Sequence, residues 1–247
     1  MCASVFGSRL DLLVRLVDTT TGAAADERNV IFMKNGQAVR PESRGVGVFV
    51  FINTGREDFL MQIRVFGYED AEVAVKYAEL EERMPTVDVF LIPSENTKKG
   101  SPVLSFSGNL PLLESIEAVN IMRPLCQAGE YRKKENTLTV FGRTGGRIQL
   151  EDVWYGLLST DKNEYEKIEV LGNATPQSVK LRGQPAEDFV PNRQMMRIIF
   201  GHVSENGDYL LRVRDDGKGQ TYLIRYVVGG ETRFQTVDLK TETGGLR

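Results

Sequence analysis

The sequence predicts an all-β protein: an antiparallel β-sandwich over residues 8–95, a linker with at most one short helix over 96–136, and a second antiparallel β domain over 137–247. Three observations carry this reading. Apolar residues recur with a period of two, most clearly where Val46, Val48, Val50 and Ile52 alternate with Gly47, Phe49, Phe51 and Asn53; side chains on a strand alternate between faces, so a half-buried strand reads this way. Turn chemistry then interrupts the apolar runs at intervals of about 8 to 12 residues, as in sandwiches and barrels. Finally, Asn35-Gly36, Asn206-Gly207 and Gly229-Gly230 are the residue pairs that two-residue hairpin loops favour.

Residues 10–18 (LDLLVRLVD) form the first expected strand, ended by Thr19-Thr20-Thr21-Gly22, whose hydroxyls and glycine suit a turn. Strands are then expected at 30–34, 46–53, 59–66, 71–77 and 86–92, with Thr54–Asp58 joining two antiparallel neighbours. The polar segment 94–102 (SENTKKGSP) reads as the interdomain linker, followed by a short strand at 103–106. In 110–122, Leu112, Leu113, Ile116 and Val119 fit one helical face, with Asn109 placed as a cap and Pro111 early, so a short helix is favoured over an extended alternative. Residues 123–136 are polar and irregular. Strands follow at 137–141, 147–150, 153–158, 165–171 and 178–181, and two hairpins are expected: 195–203 with 209–214, and 222–228 with 232–239.

Composition narrows the function classes. The 247 residues are 41% hydrophobic and 26% charged, which is ordinary for a globular chain and argues against wholesale disorder. Thirty-one basic against 34 acidic side chains give a net charge of −3 without long blocks of one sign, so no nucleic-acid partner is expected. No apolar run approaches the roughly 18–20 residues of a membrane span. The first residues lack a basic cluster followed by an apolar run, so a cytoplasmic protein is expected. Cys2 and Cys126 form no CxxC pair, and two free thiols suit a reducing compartment.

Val17-Asp18 with Gly22, Val30 with Phe32, the run Gly45-Val46-Gly47-Val48-Phe49-Val50-Phe51, and Ile63-Arg64-Val65 with Gly67-Tyr68-Glu69 carry a resemblance. Over about residues 8–95 the chain resembles the carboxypeptidase-regulatory, transthyretin-like family of Ig-type sandwiches. The resemblance implies a seven-stranded accessory or adhesive module, ordinarily without a catalytic centre of its own. Such modules are commonly exported, whereas this sequence shows no export signal, which suggests use in a particle assembled inside the cell.

The candidates for chemistry are few. His202 is the only histidine, which excludes mechanisms and metal sites that need two imidazoles. A two-residue loop at Asn206-Gly207 would set His202 opposite Leu211, on the apolar face beside Ile198. Gly142–Gly146 lacks both the GxGxxG spacing and the Walker lysine, and reads as a hairpin turn. Asp215-Asp216-Gly217-Lys218-Gly219 places a cation among its carboxylates and lacks a calcium-loop spacing. Glu79, Glu81 and Glu82, like Glu164, Glu166 and Glu169, are expected to face solvent near strand ends. Cys126 has no partner histidine nearby that would activate it. No catalytic, cofactor-binding or metal-binding residue is assigned.

Trp154, Tyr155, Tyr222 and Tyr226 are residue types enriched at binding surfaces and are the candidate partner or ligand contacts, Tyr155 in particular as a glycan platform or protein hot spot. The expected function is a non-catalytic structural or protein-interaction subunit, within a phage-tail-like or other cytoplasmically assembled particle. Its partners would be proteins, a second copy of the chain included. The alternative is a carbohydrate- or ligand-binding sandwich module.

Overall fold

The computed structural model describes residues 9–25, 29–94, 103–142, 148, 150–151, 153–186, 191–214, 219–240 and 245–246. The protein is all-β: among these residues the only helical element is one 3-10 turn, Tyr77–Glu79. The chain divides into two compact units. Residues up to Asp18 and from Ala24 to Lys98 make the first; the segment Thr19–Ala23 and everything from Lys99 make the second.

The first unit contains β1 (Leu10–Asp18), β2 (Val30–Lys34), β3 (Gln37–Val39), β4 (Glu42–Gly45), β5 (Val48–Ile52), β6 (Phe59–Val65), β7 (Ala71–Val75) and β8 (Thr86–Leu91). They form two four-stranded sheets, β4-β5-β1-β8 and β3-β2-β6-β7. One core joins them: Leu12, Val14, Leu16, Phe51, Val89 and Leu91 from the first sheet pack with Phe32, Met61, Ile63 and Val65 from the second. Phe32 sits centrally, its ring 5.0 Å from that of Phe49 and 5.8 Å from that of Phe51. Pairing is antiparallel except between β1 and β8, which run parallel with Arg15 beside Asp88. The Arg15 guanidinium donates from Nε to Asp88 Oδ1 at 2.5 Å and from Nη2 to Oδ2 at 2.7 Å, a fork that fixes this register.

Strand positions follow the alternation, and the Asn35-Gly36 loop joins β2 to β3 as predicted, with Lys34 facing Gln37. The expectation for Thr54–Asp58 is corrected. β5 and β6 lie in different sheets, so the segment crosses the sandwich instead of turning back on its neighbour. Asp11, buried on β1, holds this crossover by accepting hydrogen bonds from the amides of Thr54 at 2.5 Å and Gly55 at 3.1 Å.

The second unit contains β9 (Val103–Asn109), β10 (Leu113–Asn120), β11 (Cys126–Arg132), β12 (Thr137–Gly142), β13 (Trp154–Leu158), β14 (Tyr165–Thr175), β15 (Ser178–Arg182), β16 (Arg193–Phe200), β17 (His202–Val203), β18 (Asp208–Arg214), β19 (Thr221–Val228) and β20 (Glu231–Asp238). Nine strands pair in the order β11-β12-β15-β14-β13-β16-β10-β19-β20, and β11 also pairs with β16. That added pairing closes β11, β12, β15, β14, β13 and β16 into a six-stranded antiparallel barrel. Its interior is filled from every wall: Cys126 and Ala128, Leu138 and Val140, Tyr155 and Leu157, Ile168 and Val170, Val179 and Leu181, and Met195 are all buried. The remaining sheet, β17-β18-β9, covers the β10-β19-β20 extension, where Phe106, Tyr209, Leu211 and Val213 meet Ile116, Ala118, Tyr222, Ile224 and Tyr226.

The short strand expected at 103–106 is the start of β9, which runs on to Asn109; residues 107–132, expected as linker and helix, hold the rest of β9 with β10 and β11. β10 is extended because it lies between β16 and β19, paired along both edges, and such pairing overrides a weak helical period. Leu112, placed on the supposed helical face, is instead 76% exposed ahead of the strand. The second-domain hairpin register is also corrected. His202 faces Leu210 and Val203 faces Tyr209, with Ser204 N donating to Asp208 O at 2.8 Å, so the loop has three residues. Gly207 is its left-handed position at φ +79°, where a side chain would overlap the Leu110 carbonyl oxygen. A slip of one residue turns every side chain to the other face, and His202 is accordingly exposed. The expected strand at 147–150 is not formed at its two described positions, 148 and 150; residues 147 and 149, the turns at 143–146 and 215–218, the linker segment 95–102 and Cys2 lie outside the described residues.

Replacing Phe32 with alanine should cost about 3–5 kcal/mol in urea denaturation of the full chain, since the cavity would sit between the two sheets. Its sequence neighbour Ile31 is exposed, and Ile31→Ala should change stability by no more than about 0.5 kcal/mol.

Candidate functional site

One cavity of the second unit is organised around Arg197, the one cation inside the apolar half of β16. On one edge, β16 pairs with β11 through Arg193–Met195 and with β10 through Ile198–Phe200. β10 ends at Asn120 and β11 starts at Cys126, so neither ladder covers Met196 and Arg197 on that edge. The connection between them, with Pro124 at its centre, bows away from the sheet, and a cavity of about 320 Å³ opens there.

Three guanidinium side chains line it: Arg197 from β16, Arg123 from the β10–β11 connection and Arg214 from the end of β18. Neutral polar groups come from Asn120, Thr20 and Thr21, and the apolar wall from Leu125, Met196, Ile199 and Tyr222. Thr20 and Thr21 arrive on the short segment that belongs to this unit. Gly22, at φ +63°, brings that segment against β16 so closely that any side chain would overlap the Ile198 carbonyl oxygen. Asn120 is already committed, donating to Gly219 O at 3.0 Å and accepting from Met122 N at 3.0 Å, so it shapes the wall. Arg197 pairs with Glu151 Oε1 at 3.1 Å, yet its Nε is buried with no hydrogen-bond partner.

A second charged cluster is already filled by the protein itself. Glu117 on β10 is buried and accepts from Lys167 Nζ at 2.8 Å and from Arg225 Nη1 at 2.9 Å. The Lys167 ammonium also lies 4.8 Å from the Trp154 ring centroid and 5.0 Å from that of Phe200, so two rings and a carboxylate hold it. Beside it, burial pushes the Tyr165 phenol well above its ordinary range, and the Glu117 charge acts in the same direction. This arrangement bridges β10, β14 and β19 and holds no nucleophile; we read it as a brace across the sheet.

The four aromatic candidates do not converge on one site. Tyr155 is 0% exposed, its ring inside the barrel and its hydroxyl within hydrogen-bond distance of both backbone groups of Glu151, so it offers no glycan or protein platform. Tyr222 and Tyr226, each 3% exposed, pack beneath β17-β18-β9. Tyr222 also edges the cavity, with its hydroxyl donating to Gln220 at 3.0 Å. Trp154 is half-buried beneath Lys167. Both faces of β13 are covered: Tyr155 and Leu157 face the barrel interior, and Gly156 lies against Val119 of β10 and the Tyr165 ring. The glutamates need a similar correction: Glu169 is buried, 3.4 Å from Arg182, and Glu166 is partly buried, 3.1 Å from Arg193. Glu79, Glu81 and Glu82 are exposed.

Among the described residues no group of three or more His, Cys, Asp or Glu side chains could hold a metal ion. Cys126 faces the barrel interior, where burial pushes its thiol up to about 12. None of the arginines was singled out in the sequence, because Arg123, Arg197 and Arg214 lie in three elements and share no motif. The legible signal was Arg197 itself, an unexplained charge in the apolar run MMRIIF.

Two measurements follow from these environments. Glu117→Gln leaves two partly buried cations without a counter-charge and should cost about 2–3 kcal/mol in urea denaturation, at or below the low end for buried pairs because both cations keep some solvent. The Cys126 thiol stays protonated in the folded state, so at pH 8 its peptide should take up iodoacetamide only after unfolding. The unfolded thiol ionises at lower pH, so this group's contribution to stability should be lost as pH rises from about 8.5 towards 12.

No protein-family model matches the chain, and no characterised protein matches it either.

Proposed function

We propose that the chain is a non-catalytic structural or protein-interaction subunit, a transthyretin-like β-sandwich joined to a second β unit, working in a multi-protein particle of the phage-tail-like kind assembled in the cytoplasm. The observation that carries this reading is the outer face of β3-β2-β6-β7. Side chains facing away from the core are Ile31 and Met33 on β2, Leu60 on β6, and Phe66 at the next outward position after β6. Ile31 is 55% and Phe66 75% exposed. Register places Ile31 opposite Arg64 and Met33 opposite Gln62, so Leu60 and Phe66 lie at the two ends of the neighbouring outward row, each diagonal to one of the β2 residues.

Polar pairs lie among these residues. Gln62, between Leu60 and Phe66, donates to Glu72 at 2.9 Å, and Arg64 donates to Asp70 at 2.8 Å. Protein contacts mix apolar and polar groups in this way, and an exposed aromatic residue is the usual anchor. Fully burying Phe66 and Ile31 would contribute roughly 1.5–3 kcal/mol each, enough to dominate an interface of ordinary size.

The test is size-exclusion chromatography with light scattering, on the chain alone and with the products of neighbouring genes. Assembly is expected, and Phe66→Asp with Ile31→Asp should weaken it at least tenfold, which is about 1.4 kcal/mol, while the melting temperature stays unchanged. A stable monomer that binds glycans, or assembly indifferent to both substitutions, would overturn the reading.

A further inference from the structure

We propose that the cavity bordered by Arg123, Arg197 and Arg214 is a binding site for a small organic anion carrying a phosphate or carboxylate group. The inference concerns the second unit and stands apart from the assembly reading, which rests on the first. Charge is the first argument. The chain as a whole is acidic, with a net charge of −3, yet three guanidinium groups border one cavity. Glu151 pairs with Arg197, and Arg123 and Arg214 also have interactions within the chain, so it is the clustering of three planar cations on one space that matters. Guanidinium forks match carboxylate and phosphate oxygens two at a time, which makes arginine the residue suited to these anions.

The second argument is the held position of the central cation. Glu151 Oε1 lies 3.1 Å from a terminal nitrogen of Arg197, which fixes that guanidinium at the seam beside the cavity. A cation already held in place loses little freedom on meeting an anion.

Size and lining give the rest of the ligand. About 320 Å³ lies at the small end of ligand cavities and suits a compact metabolite. Tyr222, Leu125 and Ile199 provide an apolar wall for a carbon skeleton, and the Thr20 and Thr21 side chains add hydroxyls beside the cations. The anchoring of this floor is built in: Gly22 lets the threonine segment lie directly on β16, and Asn120 ties the opposite wall to Gly219.

The experiment uses the full chain and three probes: inorganic phosphate, glycerol 3-phosphate and citrate, each titrated by calorimetry and thermal melting against sodium chloride at matched ionic strength. Saturable one-to-one binding of at least one probe is expected, and the preferred probe separates phosphate from carboxylate chemistry. Arg214 is exposed, so Arg214→Met should fold normally and weaken that binding at least tenfold. Arg197→Met should do the same, with far-UV circular dichroism reporting its fold. Lys162→Met, a cation bordering a separate depression of about 300 Å³, should bind as the unaltered chain does. Phosphate and citrate also raise melting temperatures by exclusion from protein surfaces. A rise that is unsaturable or equal in Arg214→Met and the unaltered chain, or no heat of binding with any probe, overturns the proposal.

Discussion

The second unit depends on how β16 divides its edges. One edge serves β13; the other serves β11 over its first residues and β10 over its last. The β11 pairing closes the barrel, and the β10 pairing launches the extension on which β17-β18-β9 packs. An eight-residue strand cannot hold two partners end to end on one edge without a seam, because the chain must leave one ladder and enter the other. Ile121–Leu125 makes that transfer, and Leu125 N rejoins the sheet at Met195 O, 2.9 Å away. The cavity is the geometric remainder of this seam, so topology alone places open space beside Arg197.

Legibility of the sequence tracks how local each constraint is. Alternation located β1, β2, β6 and β8 because one buried face writes itself into every second residue, as in FLMQIRV, where Phe59, Met61, Ile63 and Val65 point inward. It failed for β4, ESRG, whose residues are all exposed, and for β11, where a bulge between Ala128 and Tyr131 breaks the period. The His202 hairpin failed by one residue: Asn206-Gly207 marks a turn correctly but does not distinguish a two-residue from a three-residue loop. Thr54–Asp58 has the composition of a hairpin loop, and only the distant Asp11 carboxylate makes it a crossover. The arginine cavity was least legible of all, since Thr20, Arg123, Arg197 and Arg214 come from four segments far apart in the chain.

Buried charge shows the same dependence on distant partners, and it separates scaffold from site. Arg15 is answered by Asp88 on the adjacent parallel strand, Asp11 by two amides of the crossover, and Glu117 by Lys167 and Arg225 from two other strands. Each of these groups is costly to bury alone and becomes tolerable only in one arrangement of strands, so each penalises alternative registers. That is a reason for a β-rich chain to carry them, because a sheet held by apolar alternation alone can slip by two residues and keep its core face.

Arg197 differs from these groups in what surrounds it. Glu151 answers one end of its guanidinium from 3.1 Å, and the same side chain lines a cavity together with Arg123 and Arg214. Lys167, by contrast, is held by Glu117 and lies over the rings of Trp154 and Phe200, so that cluster is filled by the protein's own groups. At the seam three planar cations, two threonines and an apolar wall border one space. Guanidinium forks match carboxylate and phosphate oxygens two at a time, so a cavity that gathers three of them beside apolar side chains has the chemistry of an organic-anion site, where the buried pairs have that of a brace.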